Sequence, residues 1–288
     1  MIARYLSILA GLFLLSLTGC QQSDGPAYTI DISIDAALAS DREVALSTIA
    51  GRLQQLGAGK IDMEALSRGH ILVRLQGDTI APEDLQALIE QDGQGSFLIP
   101  EADDMRDEFL RDNGALAELL INEGCCCWKS AAGKAKLQEL WAQHARLRGI
   151  RDTTIHWLHN DRHYGGACDE MVVYDQDREA IPLHGDVLKD VRADLDPTGH
   201  YAVMASFSPE YSRAWERMTR GSIGRRIAIV IDEQVISAPM VQSTIAGGNM
   251  QITGGFNWQE ARLMAAKLGT TPFPQGVRVE AKVRYTTQ

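Results

Sequence analysis

The stretch RRIAIVIDEQVISAPMV, Arg225 to Val241, limits the possible folds more than any other. Its first run, Ile227 to Ile231, is apolar at every position, so as a strand it needs cover on both faces and belongs inside a sheet rather than at an edge. Asp232, Glu233 and Gln234 then lead into a second apolar run, which predicts a hairpin. The segment holds no histidine, cysteine or serine poised for chemistry. A layered α+β chain is required, and 288 residues at 45% hydrophobic and 23% charged supply one large or two modest domains.

Elsewhere the periodicity alternates between strand and helix. Tyr28, Ile30, Ile32 and Ile34 repeat every second residue; Leu46, Ile49, Leu53 and Leu56 form a helical stripe ended by Gly57 and Gly59. Ile71, Val73 and Leu75 predict a second strand, a helix begins near Pro82, and SFLIP a third strand ending at Pro100. Strand, helix, strand, helix, strand places helices on one face of a sheet, as in ferredoxin-like units. From Glu101 two polar, weakly amphipathic stretches predict helices either side of a cysteine triplet, a mobile or partner-facing region, and Arg151 to Glu170 reads as loop. Order returns with MVVY and with the strand Tyr201 to Phe207, then a helix capped by Ser208 and opened by Pro209, with Tyr211, Ala214, Trp215 and Met218 inward. Asn257 and Glu260 predict a capping box on a last helix, followed by the alternating Val277, Val279, Ala281 and Val283.

The first residues, MIARYLSILAGLFLLSLTGC, carry one basic residue and an apolar run too short to span a bilayer comfortably. They predict a secretory signal over 1–19, with Leu17 to Cys20 like a bacterial lipobox. Cys20 is then the acylated residue of a tether over 20–27, anchoring the protein to a bacterial membrane, inner or outer, facing the periplasm. In an oxidising compartment Cys125, Cys126, Cys127 and Cys168 become disulfide candidates, with a bridge from the triplet to Cys168 favoured over one between neighbours. A metal site built from His156, His159, His163 and Cys168 is an alternative, and unpaired thiols are another.

Composition and motifs argue against other classes. A net charge of −10 with dispersed acidic residues opposes a general grip on nucleic acid. Asp194 to Gly199 begins like a calcium loop, but Thr198 stands at the fifth position and Ala205 at the twelfth, where a bidentate glutamate is needed. Nucleophile-elbow, phosphate-loop and zinc-protease motifs are missing from the chain, so no catalytic residue and no cofactor are assigned, and the expectation is a protein that is not an enzyme. Binding-surface residues do accumulate: Trp128, Trp141, Trp157 and Trp215 with Arg213, Arg217 and Arg220, although a tryptophan on a helix stripe, such as Trp215, is normally core.

The segment SIGRRIAIVIDEQVISAPMVQSTIAGGNMQITGGFNWQEARLMAAKL closely resembles the first periplasmic domain of SecD, an accessory subunit of the bacterial protein-export machinery. The residues carrying it are Gly224, Arg225, Ala228 to Asp232, Val235, Ser237 to Pro239, Ile245, Gly247, Gly248, Ile252 to Gly254, Phe256, Glu260 and Ala261. The segments around Gly185 to Leu188 and ALSTIAGRLQQLG are similar to others in that family, whereas the insert 101–170 is not covered. The resemblance implies an α+β fold with a ferredoxin-like base made by both chain ends, 28–100 and 252–288, and an inserted head, 101–251. It also implies binding of unfolded or translocating polypeptide, or of Sec translocase components, through head residues such as Arg225, Asp232, Ser237, Pro239, Gly247 and Gly248. Two departures stand out. Glu233 replaces the glycine usual after the hairpin aspartate, which argues against a turn with positive φ. The family's six membrane helices, where proton flow drives transport, have no counterpart between a lipobox and a last residue Gln288, so the expected module lacks that pump. A second reading is a metal- or redox-responsive lipoprotein on the same scaffold.

Overall fold

β1 (Ala27–Asp35) buries Tyr28, Ile30, Ile32 and Ile34 on one face, as its alternation requires. The computed structural model describes residues 27–286 except 58, 68, 78, 100–102, 113–119, 123–124, 129–130, 149–152, 161–167 and 176–179. α1 (Ala39–Gln55) follows, then a hairpin of β2 (Lys60–Ser67) and β3 (His70–Gln76), then α2 (Pro82–Glu90). The last strand, β15 (Arg278–Thr286), returns from the far end of the chain and pairs antiparallel with β1 along its whole length, Ile30 opposite Val283. The sheet order β15-β1-β3-β2, with a β-α-β-β-α-β succession once the insertion is set aside, is the ferredoxin-like arrangement built from both chain ends. Ile49 and Leu53 of α1 and Leu85, Leu88 and Ile89 of α2 bury against its inner face. The Tyr28 hydroxyl donates to the Ile80 carbonyl at 2.9 Å and accepts from the Ile80 amide at 2.7 Å, so this buried polar group is paired.

Two expectations about this part change. β2 was not anticipated; as an edge strand it is largely exposed, and its apolar signal is correspondingly weak. SFLIP does form a strand, β4 (Gly95–Leu98), but not in the terminal sheet, where the place beside β1 is taken by β15. β4 instead pairs with β12 (Ala228–Ile231) and β9 (Ile181–Leu183) in an eight-stranded sheet. Phe97 draws it there: its ring lies 4.4 Å from Trp215 and 6.0 Å from Phe207, in a core shared with Ile229, Ile231 and Leu183.

The eight-stranded sheet runs β5-β6-β8-β7-β13-β12-β4-β9, with β12 central as its two apolar faces demand. β13 (Gln234–Ser237) completes the hairpin and meets β7 (Thr153–Asn160) in parallel at Val235 and Leu158. Thus β7 occupies a region read as loop; Ile155 and Trp157, two apart, turn the same way into a small core with Val173 of β8 (Cys168–Asp175). Phe109 of α3 (Asp103–Asp112) and Leu137 and Trp141 of α4 (Ala131–Arg148) complete that core, so the polar helices each carry a buried seam. β5 (Leu120–Asn122) lies within a stretch expected to be helical, and β6 (Cys125–Trp128) holds the cysteine triplet.

A third sheet, β10 (Leu188–Leu195), β11 (Tyr201–Phe207) and β14 (Asn249–Phe256), is covered by α5 (Pro209–Gly221) and α6 (Trp258–Leu268). α5 buries Trp215 and Met218 as its stripe requires, but the Ser208 hydroxyl makes no capping bond; Pro209 at the first turn suits the entry by itself. The capping box on α6 is formed: Asn257 Oδ1 accepts from the Glu260 amide at 2.9 Å and Glu260 Oε2 from the Asn257 amide at 2.8 Å.

The β12–β13 turn departs most sharply from expectation. Asp232 and Glu233 both have positive φ, 47° and 65°, the two-residue turn that matches strand twist but favours glycine or asparagine. A left-handed residue with a side chain costs about 1–2 kcal/mol, and Glu233 bears that cost. Glu233→Gly is therefore expected to raise stability by about 1 kcal/mol, a shift of about 2–4 °C in Tm by calorimetry.

Candidate functional site

The strained turn is held because Asp232 sits at the junction between the terminal sheet and the large sheet. Its Oδ1 accepts from the Gly93 amide at 2.8 Å and the Gln94 amide at 3.2 Å, where the chain leaves α2 for β4. Its Oδ2 meets Lys267 Nζ at 2.8 Å, near the end of α6, with both side chains largely buried. Behind it lies Arg52 of α1, completely buried, donating to the carbonyls of Leu88 at 2.7 Å, Gln91 at 2.5 Å and Asp92 at 2.7 Å and to Thr270 Oγ1 at 3.3 Å. The Arg52 guanidinium also lies 4.7 Å from the Phe273 ring centroid. Burial lowers the Arg52 pKa to about 10, opposed by the charges of Asp232 and Asp92, so the guanidinium stays protonated at neutral pH. Burial also raises Asp92, and the Asp232 charge adds to this while Arg52 pulls it back.

The expected binding residues therefore separate. Asp232 serves as an internal anchor at one end of the β12–β13 hairpin, whereas Arg225 and Pro239 lie at the other end, linked by the Ile227 amide to Pro239 carbonyl bond of 3.0 Å and the Val241 amide to Arg225 carbonyl bond of 2.8 Å. Ser237 is half-buried in β13. Gly248 is buried: a β-carbon there would meet Ser212 Oγ at 2.2 Å, so its role is to let β14 approach α5. Gly247 is exposed in the preceding loop. Around Arg225 and Pro239 stand apolar side chains that the sequence reading did not assign to binding, Ile223 at 52% exposure, Met240 at 57% and Ile245 at 38%. They are fixed in place: Ile223 bridges to Val241, Arg226 to Met240, and the Ile245 amide donates to Thr219 Oγ1 at 3.0 Å. An isoleucine between the helix end and Gly224 was the available signal.

Cys20 lies outside the described residues. In β6, Cys127 stands in register with Glu170 of β8, two residues along from Cys168, and Trp128 with Asp169. His156 and His159 are three positions apart in β7, and His163 lies outside the described residues. Among the described residues no group of three potential metal ligands is gathered. The Asp196 carboxylate of the rejected calcium-like loop accepts instead from Thr198 Oγ1 at 2.7 Å and from the Thr198 and His200 amides at 2.8 and 2.9 Å, and the Thr198 hydroxyl in particular pulls its pKa down. No helix among the described residues is long and apolar enough to cross a membrane.

This is the architecture of a two-part α+β module, a terminal ferredoxin-like sheet carrying an inserted head. Residues 168–274 match the family model for the SecDF P1 head subdomain. The chain is 41% identical over 100 residues to the protein translocase subunit SecD of Acetobacter pasteurianus, covering 34% of this chain and 19% of that one. It is 26% identical over 239 residues to the SecD of Calditerrivibrio nitroreducens, covering 82% of this chain and 39% of that one. The crystal structure of SecDF in its Super-membrane-facing form has the same fold, with a TM-score of 0.52 at 22% identity, covering 98% of this chain and 35% of that chain. Residues 168–274 thus match the head of the first periplasmic domain of SecD/SecDF, and the chain spans 19%, 39% and 37% of the length of three SecD relatives it matches.

The two aspartates of the junction should respond to charge removal with opposite signs. Asp92, raised above its ordinary value of 3.8 in the folded state, weakens the fold at pH 7; the penalty fades as pH falls through that raised pKa and is gone below 3.8. Asp92→Asn is expected to raise Tm at pH 7, with the gap closing in acid. Asp232→Asn keeps a residue tolerant of positive φ but removes the charge facing Lys267 and Arg52, and should lower stability by about 2 kcal/mol in urea titrations at pH 7.

Proposed function

We propose that this chain assists protein translocation as a periplasm-facing domain held at a membrane by an acylated Cys20, and that it works by binding polypeptide in transit, or a translocase component, rather than by catalysis. The family match supports a place in export. The observation that carries the binding reading is the group of exposed apolar side chains Ile223, Met240 and Ile245 around Pro239, at the end of the hairpin away from the anchored Asp232 turn. Apolar side chains fixed on ordered backbone offer an unfolded chain the contact that a folded protein, with its own apolar residues inside, cannot return.

The purified protein is expected to bind a fluorescently labelled unfolded polypeptide and not its folded form by anisotropy. Ile223→Asp with Met240→Asp should weaken that binding about tenfold, equivalent to about 1.4 kcal/mol, without lowering Tm. Equal binding to both forms, or none to either, would overturn the reading.

We further propose that the oxidised protein carries a bridge from the triplet to Cys168. In the β6–β8 register Cys127 is the triplet member nearest Cys168 but stands two positions from direct opposition, so the bridge requires a local shift of the strands at that end. Peptide mapping after alkylation without reductant is expected to recover a Cys127–Cys168 linkage; full alkylation of these thiols would refute it.

A further inference from the structure

The chain as a whole carries a net charge of −10, yet Pro209 to Ile231 contains five arginines, no lysine and two glutamates. Arg213, Arg217 and Arg220 recur at steps of four and three, which sets them in one row on α5, and all three are exposed, opposite the buried Trp215 and Met218. The row spans about 10 Å at 1.5 Å per residue. Arg220 pairs with Glu216, whereas Arg213 and Arg217 have no ion-pair partner among the described residues. Arg225, four residues past the helix end, is also exposed. Complementing the negative C-terminal end of a helix would account for Arg217 and Arg220, but not for Arg213 in the first half of α5.

The row ends at the apolar group. Ile223 lies two residues after the last residue of α5 and Met240 is bridged to Arg226, so these two side chains stand past the helix's C-terminal end with the arginines running away from them along its axis, while Ile245 is tied to Thr219 on the buried side of the helix. We infer that this surface selects extended polypeptide segments in which apolar residues are followed by a run of Asp and Glu, the apolar part at Ile223 and Met240 and the carboxylates along Arg220, Arg217 and Arg213. This rests on the polypeptide-binding reading above. Guanidinium groups match carboxylates two bonds at a time, and a row of them fits an elongated acidic ligand. A bilayer surface is the poorer fit, because interfacial binding needs the cations level with the inserted apolar side chains around their rim rather than in a line leading away.

The test uses the whole protein and three unstructured labelled peptides of one length, sharing an apolar half followed by an acidic, a neutral polar or a basic half, together with phosphatidylglycerol vesicles. At about 50 mM salt the acidic peptide is expected to bind about tenfold more tightly than the neutral one and the basic one most weakly, with the differences largely screened at about 500 mM. Arg213→Gln with Arg217→Gln should remove the acidic preference while leaving neutral-peptide binding and Tm unchanged. If all three peptides bind alike, the selectivity is overturned and the polypeptide reading survives. If no peptide binds, both are overturned, and vesicle binding in that case would reassign the surface to the membrane.

Discussion

The buried Arg52 guanidinium is the interaction on which the two halves of the molecule depend. It joins α1 to the end of α2, to the strand leaving for the head and to the segment returning from α6, through carbonyls at 88, 91 and 92 and the hydroxyl of Thr270. A buried cation is stable only when its donors are used and a countercharge is close. Carbonyl acceptors meet the first need, and Asp232 and Asp92 meet the second. Because Asp232 also accepts from Gly93 and Gln94, the amides of the departing chain are paired by the same carboxylate that balances the arginine.

α6 extends this joint into a layer. Its small residues allow two cores to approach the same helix: Ala266 lies in the core of the terminal sheet, while Ala265 and Leu268 lie in that of the head. Larger side chains at these positions would force the sheets apart, since close-packed interiors accept added volume poorly. The head's orientation therefore follows from one shared helix and one charged node, and the β12–β13 hairpin transmits it. One end of the hairpin is locked at the node, and the other holds the loop bearing Pro239 and Met240.

That division assigns different physics to the two ends. At the node, charges are buried, paired and directed inward, where they set geometry. At the far end, arginines and apolar side chains face solvent on ordered backbone, where long-range attraction and contact area are available to a partner. The junction residues were partly visible beforehand: Arg52 falls between Ile49 and Leu56 close to an apolar stripe, an unusual place for a charge. Asp232 looked like a surface turn residue because its partners Gly93 and Lys267 are remote in sequence.

Local patterns determined the helix stripes, the strands Tyr28 to Ile34, Ile71 to Leu75 and Tyr201 to Phe207, the capping box at Asn257, and the central position of Ile227 to Ile231, because each depends on residues within a few positions of one another. The tertiary structure decided the rest. β4 chose its sheet by the company Phe97 keeps with Trp215 and Phe207; β7 emerged from a loop-like stretch because β8 and β13 were there to pair with it. The Asp232–Glu233 turn adopted a conformation its own residues disfavour. Local preference amounts to about 1–2 kcal/mol per residue, and a carboxylate bonded to two amides and an ammonium outweighs it.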